Sequence, residues 1–181
     1  MVLGVFAALP LPLIGVYDVP WVPTRRQLIG HVMRVAKVGE NDVFYDLGCG
    51  DGRVAIEAAK RGARAVCVEI RRDLIEKAKE NARREGVYDK IEFINDSFFN
   101  VELRDATVVY MYLLTRVNAQ LRPKLEAELR PGARVITLDF AVPGWRPVHV
   151  DKYHVGGLAR VIYLYIRGVS DLPRGWQGPL P

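Results

Sequence analysis

Cysteine and histidine are scarce in this chain: two Cys and three His among 181 residues. Neither Cys49 nor Cys67 has a Cys or His neighbour at metal-ligand spacing, and the histidines are scattered, so no metal site is predicted. Two such cysteines are expected as free thiols in a reducing cytoplasm, which is also the location this reading implies. No apolar run reaches the roughly 20 residues that span a bilayer. The longest, Met1 to Tyr17, is interrupted by Pro10 and Pro12, which break a helix. No Lys or Arg precedes Arg25, so the basic leader of a secretory signal is missing. Three readings of residues 1–17 stay open: an arm packed on the domain or on another copy of the chain, a shallow membrane anchor, or an over-long start. A packed or membrane-touching arm is favoured. A block of like charge is absent too. The net charge of +5 and pI of ≈ 9.3 come from basic residues in scattered pairs. They permit an acidic partner, such as RNA, ribosomes or an anionic membrane face, without requiring one. No internal repeat is found, and a chain that is 50% hydrophobic and 26% charged falls outside the disordered range. Its length suits a single domain with one substantial core.

What is present concentrates in residues 43 to 52, Val-Phe-Tyr-Asp-Leu-Gly-Cys-Gly-Asp-Gly. An apolar run ends in Asp46, glycines alternate at Gly48, Gly50 and Gly52, and a helical pattern follows from Arg53 to Lys60. A strand, a tight glycine turn and a helix start let backbone approach a bound nucleotide closely. A dinucleotide fingerprint needs glycine at the position of Arg53, so that a pyrophosphate can sit on the helix N-terminus. The arginine there excludes that ligand. G-x-G-x-G with an acid two residues ahead suits a cofactor with a positive centre and no phosphate, S-adenosyl-L-methionine.

Periodicity orders the rest. Thr24 is read as the N-cap of a helix with Leu28, Ile29, Val32, Met33, Val35 and Ala36 on its apolar positions. A strand over 43–47 and a helix over 52–61 follow, then a strand over 63–70. A helix over 72–85 buries Leu74, Ile75, Ala78 and Ala82 and stops at Gly86. Strands are expected over 91–95 and 106–112. A helical pattern over 115–129 is expected to be broken or kinked at Pro123. A strand over 134–138 precedes two extended runs, 147–154 and 158–166, joined by a hairpin through Val155-Gly156-Gly157. The tail from Gly168 is expected to lie loosely on the surface. The result is an α/β fold: a Rossmann-like, seven-stranded, mostly parallel sheet with a C-terminal antiparallel hairpin. It divides into an apolar arm over 1–19, a domain over 20–168 and a tail over 169–181.

In such sheets ligands bind beyond the carboxyl ends of the strands. Asp46 closes the first strand, Glu69 the second, and Asp96 follows the third, so three acids are expected to face one crevice. Glu69 is placed to accept from ribose hydroxyls. Asp96 is placed for the adenine amine, with the Ser97 backbone near the ring, and Asp46 with the glycine backbone for the methionine part. The exit of the fourth strand, Tyr110-Met111-Tyr112-Leu113-Leu114-Thr115, lacks the Asn/Asp-Pro-Pro-aromatic turn that goes with amide or adenine-N6 acceptors. Tyr110 and Tyr112 alternate with Met111 and point together, towards cofactor or core.

The segment from Pro20 to about Trp145 resembles class I methyltransferases. More narrowly, it resembles the protein lysine methyltransferases with archaeal broad-specificity members and mitochondrial members acting on the ATP synthase c-subunit and the ADP/ATP carrier. The resemblance rests on Pro20-Trp21-Val22-Pro23-Thr24, Tyr45-Asp46-Leu47-Gly48-Cys49-Gly50-Asp51-Gly52-Arg53, Tyr112-Leu113-Leu114 with Asn118 and Leu121-Arg122-Pro123-Lys124-Leu125, and Asp139-Phe140 with Trp145. Arg25 and Thr115 stand where prolines are common in the family. The resemblance implies that Trp21 and Thr24 fold over the cofactor. With them, the expected cofactor set is Asp46, Gly48, Cys49, Gly50, Glu69, Ile70, Asp96, Ser97 and Tyr112. Transfer to a protein lysine by in-line displacement needs the neutral amine, and Tyr112 and Asp139 are expected to orient it or relay a proton. The rival readings are an RNA or small-molecule methyltransferase and a non-catalytic cofactor-binding protein.

Overall fold

The computed structural model describes residues 21–173 and 175. Residues 1–17, read above as an arm, lie outside them. Eleven regular elements follow one another: α1 (Arg26–Ala36), β1 (Val43–Leu47), α2 (Arg53–Lys60), β2 (Arg64–Val68), α3 (Arg72–Arg84), β3 (Ile91–Ile94), β4 (Val108–Met111), α4 (Thr115–Glu128), β5 (Arg134–Leu138), β6 (His149–Val155) and β7 (Leu158–Ile166). A 3-10 turn, Tyr88–Lys90, leads into β3. The strands form one sheet in the order β3-β2-β1-β4-β5-β7-β6. The first five run parallel, and β7 returns antiparallel between β5 and β6.

Both faces of the central strands are covered, which is why β1, β2, β4 and β5 read as continuous apolar runs. On one face Tyr45, Leu47, Val109 and Met111 pack with Val117, Leu121 and Leu125 of α4. On the other, Phe44, Val108 and Ile136 meet Leu28, Val32 and Met33 of α1 and Val54 of α2, and Ala65 and Cys67 meet Ile75, Ala78 and Ala82 of α3. The order reverses at β1, whose neighbours are β2 and β4, so a crevice opens beyond its carboxyl end.

Several expectations need correction. Cys49 and Cys67 are joined in a disulfide with a Cα–Cα separation of 5.4 Å. Gly48 and Cys49 both donate to the Val68 carbonyl, at 2.9 and 3.0 Å, and this folds the glycine turn back over the end of β2. The thiol argument for a reducing compartment falls with that bond. Thr24 does not cap α1. Arg25 takes the N-cap position without a side-chain bond, because the threonine hydroxyl is used elsewhere. Helix α4 is not broken in two: Pro123 lies inside it. Buried Val117, Asn118 and Leu121 before the proline and Leu125 after it hold the helix to the sheet across the missing backbone donor. The tail is not loose where it begins. Ser170 is buried, its hydroxyl accepts from the Ile166 N–H at 3.0 Å, and its carbonyl accepts from the Arg146 N–H at 2.8 Å. Among the described residues, no helix is long and apolar enough to cross a membrane.

Candidate active site

The glycine turn shapes the floor of the crevice. Gly48, Gly50 and Gly52 all have positive φ, at 84°, 55° and 78°, a region other residues rarely enter. At Gly50 the demand is also steric, since a Cβ there would lie 2.8 Å from Cδ1 of Trp21 and closer still to its Nε1. Trp21 through Thr24 therefore lie across the turn.

Two bonds hold that strap down. The Thr24 hydroxyl meets the Tyr110 hydroxyl at 2.9 Å, and Arg53 Nη1 donates to the Thr24 carbonyl at 3.1 Å. The same guanidinium grips Asp51 with two bonds, Nε to Oδ1 at 2.8 Å and Nη2 to Oδ2 at 2.6 Å. The sequence marks Arg53 only as a residue that excludes a pyrophosphate. Its structural role is to join the strap to the turn. Sequence offers little signal for a bond between residues 29 apart.

The cleft so formed contains about 960 Å³ of atom-free space, part of it open to solvent. Its lining takes in Trp21, Thr24, Asp46, Gly48, Cys49, Glu69, Ile70 and Tyr112 from the expected set, and Asp51, Arg53, Arg71, Leu74, Phe98, Tyr110 and Leu113 besides. Gly50 lies beneath Trp21 rather than on the wall. Asp96 and Ser97 are not on the lining. Asp96 is exposed, and its Oδ1 accepts from the Ser97 N–H at 2.6 Å and from Asn100 at 2.9 Å. The neighbouring Phe98, unmarked in the sequence, reaches the wall instead.

Two carboxylates give the cleft its character. Glu69 is buried, and each oxygen takes one backbone N–H, from Gly50 at 3.0 Å and from Arg71 at 2.9 Å. Each retains a lone pair for a further donor. Asp46 is 1% exposed, and its Oδ2 has no hydrogen-bond partner. Burial pushes its carboxyl up to about 8, aided by the charges of Glu69 and Asp51. A buried, unpaired carboxylate oxygen on a ligand cleft calls for a cation or donor from the ligand. S-adenosylmethionine, with an ammonium, a sulfonium and two ribose hydroxyls, fits these two acids.

Tyr112 marks the other end of the cleft. Its hydroxyl is bonded by Nη2 of Arg160, and the guanidinium lies 5.4 Å from its ring centre. Arg160 also pairs with Asp139, Nη2 to Oδ2 at 2.5 Å and Nε to Oδ1 at 3.2 Å. Asp139 is thus not on the cleft wall but is linked to it through Arg160 and Tyr112. It adopts a left-handed φ of 62° on a loop pinned by α4. Asn118 donates to the carbonyls of Phe140 and Ala141 at 2.9 and 3.3 Å, and Arg122 to that of Pro143 at 2.9 Å. Among the described residues no group of three or more His, Cys, Asp or Glu could hold a metal ion.

Comparison with known proteins agrees with this geometry. The family profile described as ANTKMT methyltransferase domain matches residues 46–149. A protein-lysine N-methyltransferase of Saccharolobus islandicus (strain REY15A) is 44% identical over 152 residues, 83% of this chain and 94% of that protein. The ATP synthase C-subunit lysine N-methyltransferase of Homo sapiens is 34% identical over 131 residues, 72% of this chain but 56% of that protein. The chain thus matches little more than half of the human relative's length. The crystal structure of an RNA methyltransferase from Salinibacter ruber in complex with S-adenosyl-L-homocysteine superposes with a TM-score of 0.77 at 39% identity, covering 84% of this chain and 97% of that one. With more than half of its length matched by the profile, and with a close relative aligned almost end to end, this chain belongs to the ANTKMT methyltransferase family of S-adenosylmethionine-dependent enzymes with the class I fold.

Proposed function

We propose that this protein transfers methyl groups to lysine side chains of other proteins. The observation that carries the proposal is the 44% identity, over nearly the whole length of the relative, to a protein-lysine N-methyltransferase. The cleft supports it: the walls are acidic and aromatic, and Tyr112 offers a hydroxyl where an amine would enter.

In this reading Asp46 and the backbone of Gly48, Cys49 and Gly50 hold the methionine part, with the Asp46 carboxylate receiving the ammonium. Glu69 takes the ribose hydroxyls. Trp21 and Thr24 close over the cofactor and Ile70 packs against it; Asp96 and Ser97, just off the lining, hold the loop that brings Phe98 to the wall, and Asp96 meets the adenine amine only at its outer edge. When bound, S-adenosylmethionine supplies a methyl group already activated on a sulfonium. The protein's task is therefore alignment and desolvation. A lysine amine starts near pKa 10.4 and attacks only when neutral. Tyr112 orients its lone pair. Replacing Tyr112 by Phe is expected to lower turnover about 10²-fold with cofactor affinity kept. Unchanged turnover with intact binding removes Tyr112 from this role.

A second reading, an RNA acceptor, is favoured by the 39% identity to the Salinibacter ruber RNA methyltransferase and by the net charge of +5. Incubation with methyl-labelled cofactor and separated protein, RNA and metabolite pools of a cell extract decides between them. Label on protein lysines, located by mass spectrometry, is expected. Label confined to RNA or metabolites overturns the lysine reading.

A further inference from the structure

We propose that Arg160 is a positioning residue of the transfer reaction, fixing the Tyr112 hydroxyl and the Asp139 carboxylate at the acceptor end of the cleft and keeping the incoming amine neutral by its charge. This role rests on the amine-acceptor reading above and deepens it.

The geometry leaves Arg160 little freedom. It sits on β7, with its side chain 15% exposed, opposite Tyr153 of β6 in the strand register. Its guanidinium is shared between Asp139 and Tyr112. Asp139 is itself bound to β7 through both backbone and side chain: its N–H donates to the Val161 carbonyl at 2.7 Å, and its Oδ1 accepts from the Val161 N–H at 3.1 Å. Tyr112 is thus the one member of the triad on the cleft wall, and the other two set its direction. With the phenol oxygen accepting from Arg160, the carboxylate of Asp139 is the acceptor that faces the phenol's own proton.

The charge has a chemical use. Paired with Asp139, the cation cancels a carboxylate that would otherwise favour the ammonium form, and so raises the share of free nucleophile. The amine's proton leaves for solvent before attack. The nitrogen lone pair then forms the N–C bond as the C–S bond breaks, with its electron pair going to sulfur. The charged groups facing this end are few. Tyr110 and Asp46 are buried, Asp139 and Arg160 flank Tyr112, and Tyr153 stands opposite Arg160 on β6. His31 packs on Tyr153 with ring centres 4.7 Å apart and is engaged with Asp151 at 2.6 Å. Arg25 reaches the hairpin turn at Gly156.

The test compares Arg160→Gln and Arg160→Lys with the wild type, using the protein pool of a cell extract as acceptor across a pH series. Arg160→Gln removes the cation and unmasks Asp139, and both changes favour the ammonium. Its kcat–pH midpoint is expected about one unit higher than wild type, with turnover at neutral pH reduced about tenfold. Arg160→Lys keeps the cation and is expected to keep the wild-type midpoint. Two readouts stand apart from turnover: S-adenosylhomocysteine affinity by calorimetry, expected unchanged, and the tyrosine 13Cζ titration of Tyr112, expected to move upward in Arg160→Gln. Superimposable pH profiles, an unmoved Tyr112 titration, or a fall in cofactor affinity matching the fall in turnover each overturn the proposal. If the wild type labels no lysine at all, the acceptor reading itself fails, and this role falls with it.

Discussion

At the Asp46 carboxyl, folding meets the proposed cofactor contact. Burial raises its pKa to about 8 against the pull of the Ala55 N–H, whereas in the unfolded chain it ionises near 4. The folded, cofactor-free protein therefore keeps a proton that the unfolded chain releases. The stability this group contributes is fully present below pH ~4 and is lost as pH rises to about 8. Thermal unfolding of the cofactor-free protein is expected to show this decline, and Asp46→Asn to flatten it. An ammonium bound there, as proposed, favours the ionised form, so S-adenosylmethionine affinity is expected to rise with pH up to about 8 and then level off. Asp46→Asn is expected to weaken the cofactor about 10- to 100-fold, the scale of a hydrogen bond to a charged group. Calorimetry at several pH values reads both. An affinity flat in pH would assign the ammonium to another partner.

Gly50 carries a second residue-scale prediction. Alanine there collides with the Trp21 indole and must adopt a φ of 55°. Gly50→Ala is expected to push the strap aside, raising Trp21 exposure and weakening the cofactor at least tenfold; unchanged tryptophan fluorescence would count against that. Residues such as Asp46 and Glu69 are legible in the sequence because each is an acid at the end of a continuous apolar run. Arg53 bonding Thr24 and Arg160 bonding Tyr112 are not. Such contacts join residues 29 and 48 positions apart and leave no periodic trace.

Elements are more legible than contacts. The bounds of β1 and β5 match the apolar runs, since strands buried on both faces announce themselves. Errors arise where a local rule meets a tertiary competitor. Thr24 has the chemistry of an N-cap, yet a buried phenol offers its hydroxyl a better partner. Pro123 should interrupt a helix, yet α4 is anchored on both sides of it. The turn after β1 carries the strongest such case, because the Cys49–Cys67 disulfide ties it to β2 across 18 residues. Closing a loop of that length contributes roughly 3 kcal/mol through the unfolded chain. Reductant, or Cys67→Ala, is expected to lower the unfolding midpoint measurably. A midpoint indifferent to reductant would mean that the bond contributes little to stability.

For the whole molecule, the parallel sheet and its closing hairpin follow from the alternation of elements, but the end of the folded unit does not. Composition suggests a loose tail from Gly168, whereas Arg167 pairs with Asp171 and Ser170 is buried between β7 and the loop at Arg146. Ending the chain after Gly168 is expected to lower the thermal midpoint by several degrees, while a cut beyond Leu172 spares every one of these bonds. Equal midpoints for the two truncations would return the tail to the surface.

The strap at Trp21–Thr24 carries a practical consequence. Because Trp21 to Thr24 line the cleft before the chain enters α1, a molecule entering the cleft comes up against the indole. The same placement makes Trp21 a built-in probe, whose emission should report the strap's position without any label at all.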